Sequence, residues 1–224
     1  MMQSGKSLIT SHVLPRFFST LLLSFIGTLV GGMFIPETVA LALGLVPILV
    51  LLLLLIKSFS AGRKRKKGFS TYGLRLPMWL VYVFTLLVGI SIYPAIDLYV
   101  DAMGMALVVA AFGIASALFG GLFIYTYFTK KDFSFLGGML FFALLTLILL
   151  SIANIFIGSS FMDLGLAFAG ILIFSGYMLY DISRMKESGF KEADVPAAVF
   201  DLYLNFINIF LDILRVLNFF TSRD

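Results

Sequence analysis

PAAVFDLYLNFINIFLDILRVLNFF, residues 196–220, decides how the rest of the chain is read. Leu, Ile, Phe, Val and Tyr make up most of it. It is long enough to cross a bilayer as one helix, which takes about 20 apolar residues. Asp201, Asn205, Asn208 and Asp212 interrupt it at intervals of 4, 3 and 4, and Arg215 follows three later. At about 3.6 residues per turn these five fall on one narrow stripe. An ionisable side chain at the centre of a span costs about 2.5–3.5 kcal/mol on insertion scales. The stripe must therefore face protein, water or an ion.

Composition extends this reading to the whole chain. Of 224 residues, 61% are hydrophobic and 12% charged, where a soluble domain carries about 25% charge. The chain is a membrane protein on that ground alone. It has no cysteine, which excludes a disulfide framework, a zinc-thiolate site and cysteine catalysis. The single histidine, His12, precedes the first span. That excludes a Ser-His-Asp triad or a histidine-built metal site inside the membrane. A rhomboid or CPBP-like intramembrane hydrolase would need such groups, so neither an enzyme nor a cofactor is expected.

Seven segments are apolar over a membrane-spanning length: about 17–35, 38–57, 77–98, 103–128, 134–157, 162–183 and 196–220. The runs are too long and too continuously apolar for barrel strands. The fold class expected is all-α, a polytopic seven-transmembrane helix bundle forming a single membrane domain over 1–224. Short turns at 35–37, 99–102 and 158–161 make the spans they join antiparallel neighbours. No cleavable signal is expected. The first apolar run is too long for a signal core, and no small-residue cleavage pattern follows it.

Fourteen of the 16 Lys and Arg residues lie in alternate connecting segments, with Lys57, Arg63 and the run GRKRKK (62–67) in or beside the 58–76 loop. The opposite turns hold Glu37, Asp97, Asp101 and Asp163. The positive-inside rule places the N-terminus in the cytoplasm and the C-terminus outside. Arg215 and Arg223 are the exceptions, and a seventh segment that dips in and returns is the alternative they leave open. The basic run reads as a topology anchor against anionic headgroups, and no nucleic acid is expected as a partner.

Three carboxylates fall inside spans: Asp181, Asp201 and Asp212. The sixth and seventh spans are joined by about a dozen residues, which sets Asp181 and Asp201 at similar depth with Asn205 one turn further in. Carboxylate and amide oxygens are the ligands a hard cation takes. Two carboxylates close together also titrate as a coupled pair. The functional reading is a route for a cation or proton, with Asn208 and Asp212 as further lining candidates. The bland reading makes Asp181 interfacial, satisfied by Arg184 or the basic loop, and the asparagines glue between helices. Gly113, Ala117 and Gly121 read as a small-residue face for close helix contact. Pro94 reads as a kink, and Asn154 as a bond across helices.

Three motifs carry a resemblance: TKKDFSFLGG at 129–138, GYMLYDISRM at 176–185 and DLYLNFINIFLDILRVL at 201–217. With GISIYPAI at 89–96 they are similar to the Bax-inhibitor (transmembrane Bax inhibitor motif) family, over nearly the whole chain. The resemblance implies a seven-helix bundle that leaks calcium in a pH-dependent way, in a bacterial plasma membrane. It implies an aspartate pair as the sensor, one at the end of the sixth helix and one in the seventh, latched by a basic residue from the second. Carried over, the sixth-helix aspartate is Asp181. The seventh-helix position, in a motif like LYLDFIN, is Asn205 here, because this chain reads LYLNFIN. Asn cannot titrate. Asp201, one turn earlier on the stripe, is expected to share the sensing and metal-binding role with Asp181, and Asn205 to hydrogen-bond. Lys57 and Arg63 are the two latch candidates. The partners implied are the lipid bilayer, calcium and protons; no protein partner is read, and the chain is taken as a monomer. A proton-coupled small-solute transporter using the same acidic stripe, and a non-transporting membrane partner protein, remain the alternatives.

Overall fold

The computed structural model describes residues 5–47, 49–51, 53, 76–187 and 189–221. Its helices in chain order are α1 (Gly5–Leu8), α2 (Leu14–Phe34), α3 (Glu37–Leu43), α4 (Met78–Met103), α5 (Met105–Phe128), α6 (Gly137–Ile157), α7 (Ser160–Lys186) and α8 (Val195–Thr221). A wide π-helical turn, Ile9–Val13, joins α1 to α2. Pro15 opens α2 and has no N–H to donate to a carbonyl in the preceding turn.

Among the described residues, six helical stretches are long and apolar enough to cross a membrane: Gly5–Phe34, Met78–Met103, Met105–Phe128, Ser134–Ile157, Ser160–Lys186 and Glu192–Thr221. The second span is apolar and helical over the described part of Glu37–Leu51. Its end, with Lys57, lies outside the described residues, as do Arg63 and all of the 58–76 loop but its last residue. The architecture is therefore all-α and polytopic. The last span does not dip and return: α8 is one unbroken helix of 27 residues.

Two expectations are corrected. The turn placed at 99–102 is helical, and the chain breaks at Gly104 instead. Gly104 takes φ 85, a value that is cheap only without a Cβ. Asn154 bonds within its own turn rather than across helices. Gly158, at φ 66, ends α6 and donates its N–H to the Asn154 carbonyl (2.8 Å), while the Asn154 side-chain oxygen accepts from the Ser159 N–H (3.2 Å). The left-handed glycine and the borrowed amide together close the α6–α7 turn in two residues.

The chain divides into two compact units, Met1–Leu98 with Met185–Tyr203, and Tyr99–Arg184 with Leu204–Asp224. In the first, α2 and α4 meet backbone to backbone. A Cβ on Gly27 would run into the Leu86 carbonyl, and one on Gly89 into Ser24. The Thr28 hydroxyl donates to the Gly89 carbonyl (3.1 Å) across this contact. Gly27 and Gly31 form the GxxxG spacing that permits such approach, and Gly31 lies under the Tyr93 ring. Ser24 and Tyr203 join their hydroxyls at 2.9 Å.

In the second unit, a T-shaped set of rings, Phe112 and Phe119 against Phe206, packs α5 on α8 with centroids 5.6 and 5.5 Å apart. Gly137 leaves room for Tyr180, whose ring a Cβ there would meet at 2.6 Å. The predicted stripe Gly113, Ala117, Gly121 makes no such contact. Nothing described lies within 4 Å of a Cβ built on Gly113 or Gly121, and Ala117 is exposed. Small residues at the right spacing face outward here, so the spacing alone did not identify the contact.

Candidate functional site

The polar stripe survives because α8 is sheltered. Of its most apolar window 78% is buried, against 39% or less in the other five candidate spans. Asp201, Asn205 and Asp212 are all buried, as is Asp181 on α7. Buried polar groups of this kind need partners.

Asp181 and Asn205 provide them for each other. The Asn205 side-chain amide donates to Asp181 Oδ2 at 2.8 Å, and the two residues are 3% and 5% exposed. Both lie in the second unit, so the α7–α8 contact expected from the short connection is formed there. The neighbouring motif fixes α7 locally. The Phe133 N–H donates to the Ser183 hydroxyl (3.2 Å), and Asp132 accepts from the Ser134 backbone (2.8 Å) and hydroxyl (2.8 Å). With Gly137 under Tyr180, TKKDFSFLGG is thus the seat on which LYDIS is oriented. Sequence reading found both motifs without seeing that one holds the other.

The other candidates fall out differently. Asp201 is buried and belongs to the first unit, four residues before Asn205 on α8. Asn208 is half-buried and donates its amide to the Leu204 carbonyl of its own helix (2.7 Å). Among the described residues no group of three or more His, Cys, Asp or Glu is placed to hold a metal.

Asp212 is sheltered by a residue that sequence reading missed. Its Oδ1 accepts from Arg215 Nη1 at 3.1 Å, and its other oxygen lies against Gly170 of α7, where any Cβ would collide with it. Gly170 is the notch that admits a buried carboxylate between two helices. Gly170→Ala is expected to cost about 1–3 kcal/mol, the usual penalty of overpacking, and to cost almost nothing once Asp212→Ala has emptied the notch. A thermal-stability cycle over the four variants reads the coupling. Additive costs would show that the notch serves something else.

A polar pocket of about 550 Å³ opens in the second unit, beside Arg215 and lined also by Tyr99, Asn154, Asp163 and Asn218. It lies at the end of that unit away from Lys130, Lys131 and Arg184.

The model of one protein family, described as inhibitor of apoptosis-promoting Bax1, matches residues 10–222. A Vibrio cholerae membrane protein is 30% identical over 225 residues, covering 98% of this chain and 94% of its own. A Helicobacter pylori protein is 33% identical over 149 residues, 66% of this chain and 64% of its own. The inner membrane protein YbhL of Escherichia coli is 29% identical over 147 residues, 61% of each chain. The aligned region thus spans a little under two thirds of the Helicobacter and Escherichia relatives and nearly all of the Vibrio one.

Proposed function

Because the chain belongs to the family of inhibitors of apoptosis-promoting Bax1, we propose that this integral, multi-pass membrane protein is a pH-sensitive calcium leak channel. It works without a catalytic group or a bound cofactor. The observation that carries the reading is the Asn205–Asp181 contact, a buried amide–carboxylate pair at 2.8 Å inside two membrane helices. With its N–H on Asp181, Asn205 keeps its own carbonyl oxygen available as an acceptor. Carboxylate and amide oxygens are the ligand types a hard cation takes. Asp201 adds a buried carboxylate on the same helix, and Asp212 another two turns beyond Asn205. The proposal places the N-terminus in the cytoplasm of a bacterial plasma membrane, following the basic segments.

In this channel the proton acts at Asp181. A protonated carboxyl is a poorer cation ligand and a poorer acceptor for the Asn205 amide, so protonation both empties the seat and loosens the α7–α8 contact. Asn205 neither takes nor releases a proton. The contact therefore holds one titrating group, and its pH response is a one-proton transition.

Asn205→Asp places a second titrating group beside the first, and such pairs ionise in two macroscopic steps. Liposomes loaded with a calcium dye test this across about pH 6 to 8. The expected result is a single-step flux–pH curve for this contact in the wild type and an added step in Asn205→Asp. Superimposable curves would remove the sensing role from the contact.

A further inference from the structure

The pocket in the second unit is lined by charges of both signs and lies away from the Asp181–Asn205 contact. Arg215 and Asp163 are both in its wall, and Tyr99, Asn154, Ser159 and Asn218 are polar residues that also line it. Its volume of about 550 Å³ is within the usual range for small-ligand sites, roughly 300–1,000 Å³. Arg215 spends one guanidinium nitrogen on Asp212 (3.1 Å) and also faces the Tyr99 hydroxyl. A guanidinium has five N–H donors in a planar fork, so donors remain for a ligand. A simple anion would meet a guanidinium already paired with Asp212, while the Asp163 carboxylate in the same wall is open to a cation. The wall matches a ligand that carries both charges.

The surroundings say which kind. Ile155, Phe156 and Ile157, the last residues of α6 before the pocket turn, are 77%, 85% and 62% exposed. Phe161 in the pocket wall is 66% exposed and packs on Phe219 with centroids 5.6 Å apart. A polar cavity that continues directly into an apolar, ring-rich surface fits an amphiphile, with its headgroup in the cavity and its chains along the helix ends.

We propose that this pocket is a binding site for a phospholipid with a zwitterionic headgroup, a phosphate diester bearing a primary ammonium. The phosphate is held by the donors that Arg215 does not spend on Asp212, with the Tyr99 hydroxyl beside them. The ammonium is held by Asp163. The site belongs to the leaflet on the side away from the basic segments. It is independent of the channel reading, since binding is measured without flux.

Native mass spectrometry of the detergent-released full chain, titrated with phosphatidylethanolamine, phosphatidylcholine and phosphatidylglycerol, is the test. An exposed charge pair is worth up to about 1 kcal/mol, so phosphatidylethanolamine should be retained about three- to fivefold better than phosphatidylglycerol, which has no cation. Its N–H donors to Asp163, which the quaternary ammonium of phosphatidylcholine lacks, should also place it ahead of phosphatidylcholine. Asp163→Asn should erase its advantage over phosphatidylcholine, and Arg215→Lys should weaken all three lipids by losing the planar fork. Asp163 is exposed in the first turn of α7, so the first variant keeps the fold if the second does not. Equal retention of the three lipids by the wild type, or an unchanged preference in Asp163→Asn, would overturn the proposal. Soluble phosphoethanolamine binding as well as the lipid would overturn the assignment to a lipid.

Discussion

Asp181→Asn is expected to cut calcium entry into proteoliposomes by more than about tenfold, the low end of what even a supporting partner contributes to a metal site. The substitution is nearly isosteric and leaves a hydrogen-bonding group opposite the Asn205 amide, where the wild type forms a bond of 2.8 Å. Thermal stability should therefore change little. What disappears is the charge. A divalent cation crossing a low-dielectric span needs an ionised oxygen to replace lost hydration, and two facing amides supply none. The variant should also lose the part of the pH response that belongs to this contact. A fall in flux with an equal fall in stability would point to damage rather than to a lost ligand, and Asp181→Glu, which keeps the charge, separates the two. Flux that Asp181→Asn leaves unchanged would take the site out of the ion route.

Gly89→Leu is expected to be the most damaging substitution for the fold, at about 3 kcal/mol or more. The atoms a side chain would meet there are the backbone of Ser24, which cannot swing aside as a side chain can. Accommodation requires α2 and α4 to separate, which also stretches the Thr28 bond to the Gly89 carbonyl, now 3.1 Å. Within a membrane no hydrophobic force re-forms the contact elsewhere, because association there rests on packing and hydrogen bonds. Gly121→Leu is the matched control. Nothing described lies within 4 Å of its Cβ, so its effect should stay within about 0.5 kcal/mol. Thermal unfolding of the two variants in one detergent gives the comparison, and equal losses would mean that both glycines are packed alike.

These two glycines also show how far the sequence could be read. Spans were legible because long apolar runs have one stable form in lipid, a helix with every backbone group bonded internally. The stripe on the last span was legible because period 3.6 puts Asp201, Asn205 and Asp212 on one side, and all three are buried. Position on a stripe did not fix the partner, however. Asn208 turned to its own backbone, and Arg215, near the helix end, reaches back to Asp212.

Glycine function was the least legible part. Gly113, Ala117 and Gly121 recur every four residues, the spacing of a contact face, and nothing described lies within 4 Å of a Cβ on either glycine, while Gly27 and Gly31 have the same four-residue spacing and are packed. The difference is which side of the helix has a neighbour, and a single helix does not encode that. Gly170 is a stronger case. Its role exists only because Asp212, 42 positions later, sits against it. Gly104 was not legible as the break, because apolar runs on both sides leave the turn's place open, and its positive φ shows only in the structure.

Calcium is expected to pass through this chain down its own gradient, by a route that needs the Asp181 carboxylate. Calcium entry into dye-loaded proteoliposomes, with the membrane potential clamped and no pH gradient, tests it most directly against protein-free liposomes. A leak channel predicts an initial rate above the protein-free one that rises as the interior is made more negative. A rate no higher than in protein-free liposomes would contradict the account, and entry that occurs only with an imposed proton gradient would contradict it in favour of a proton-coupled transporter.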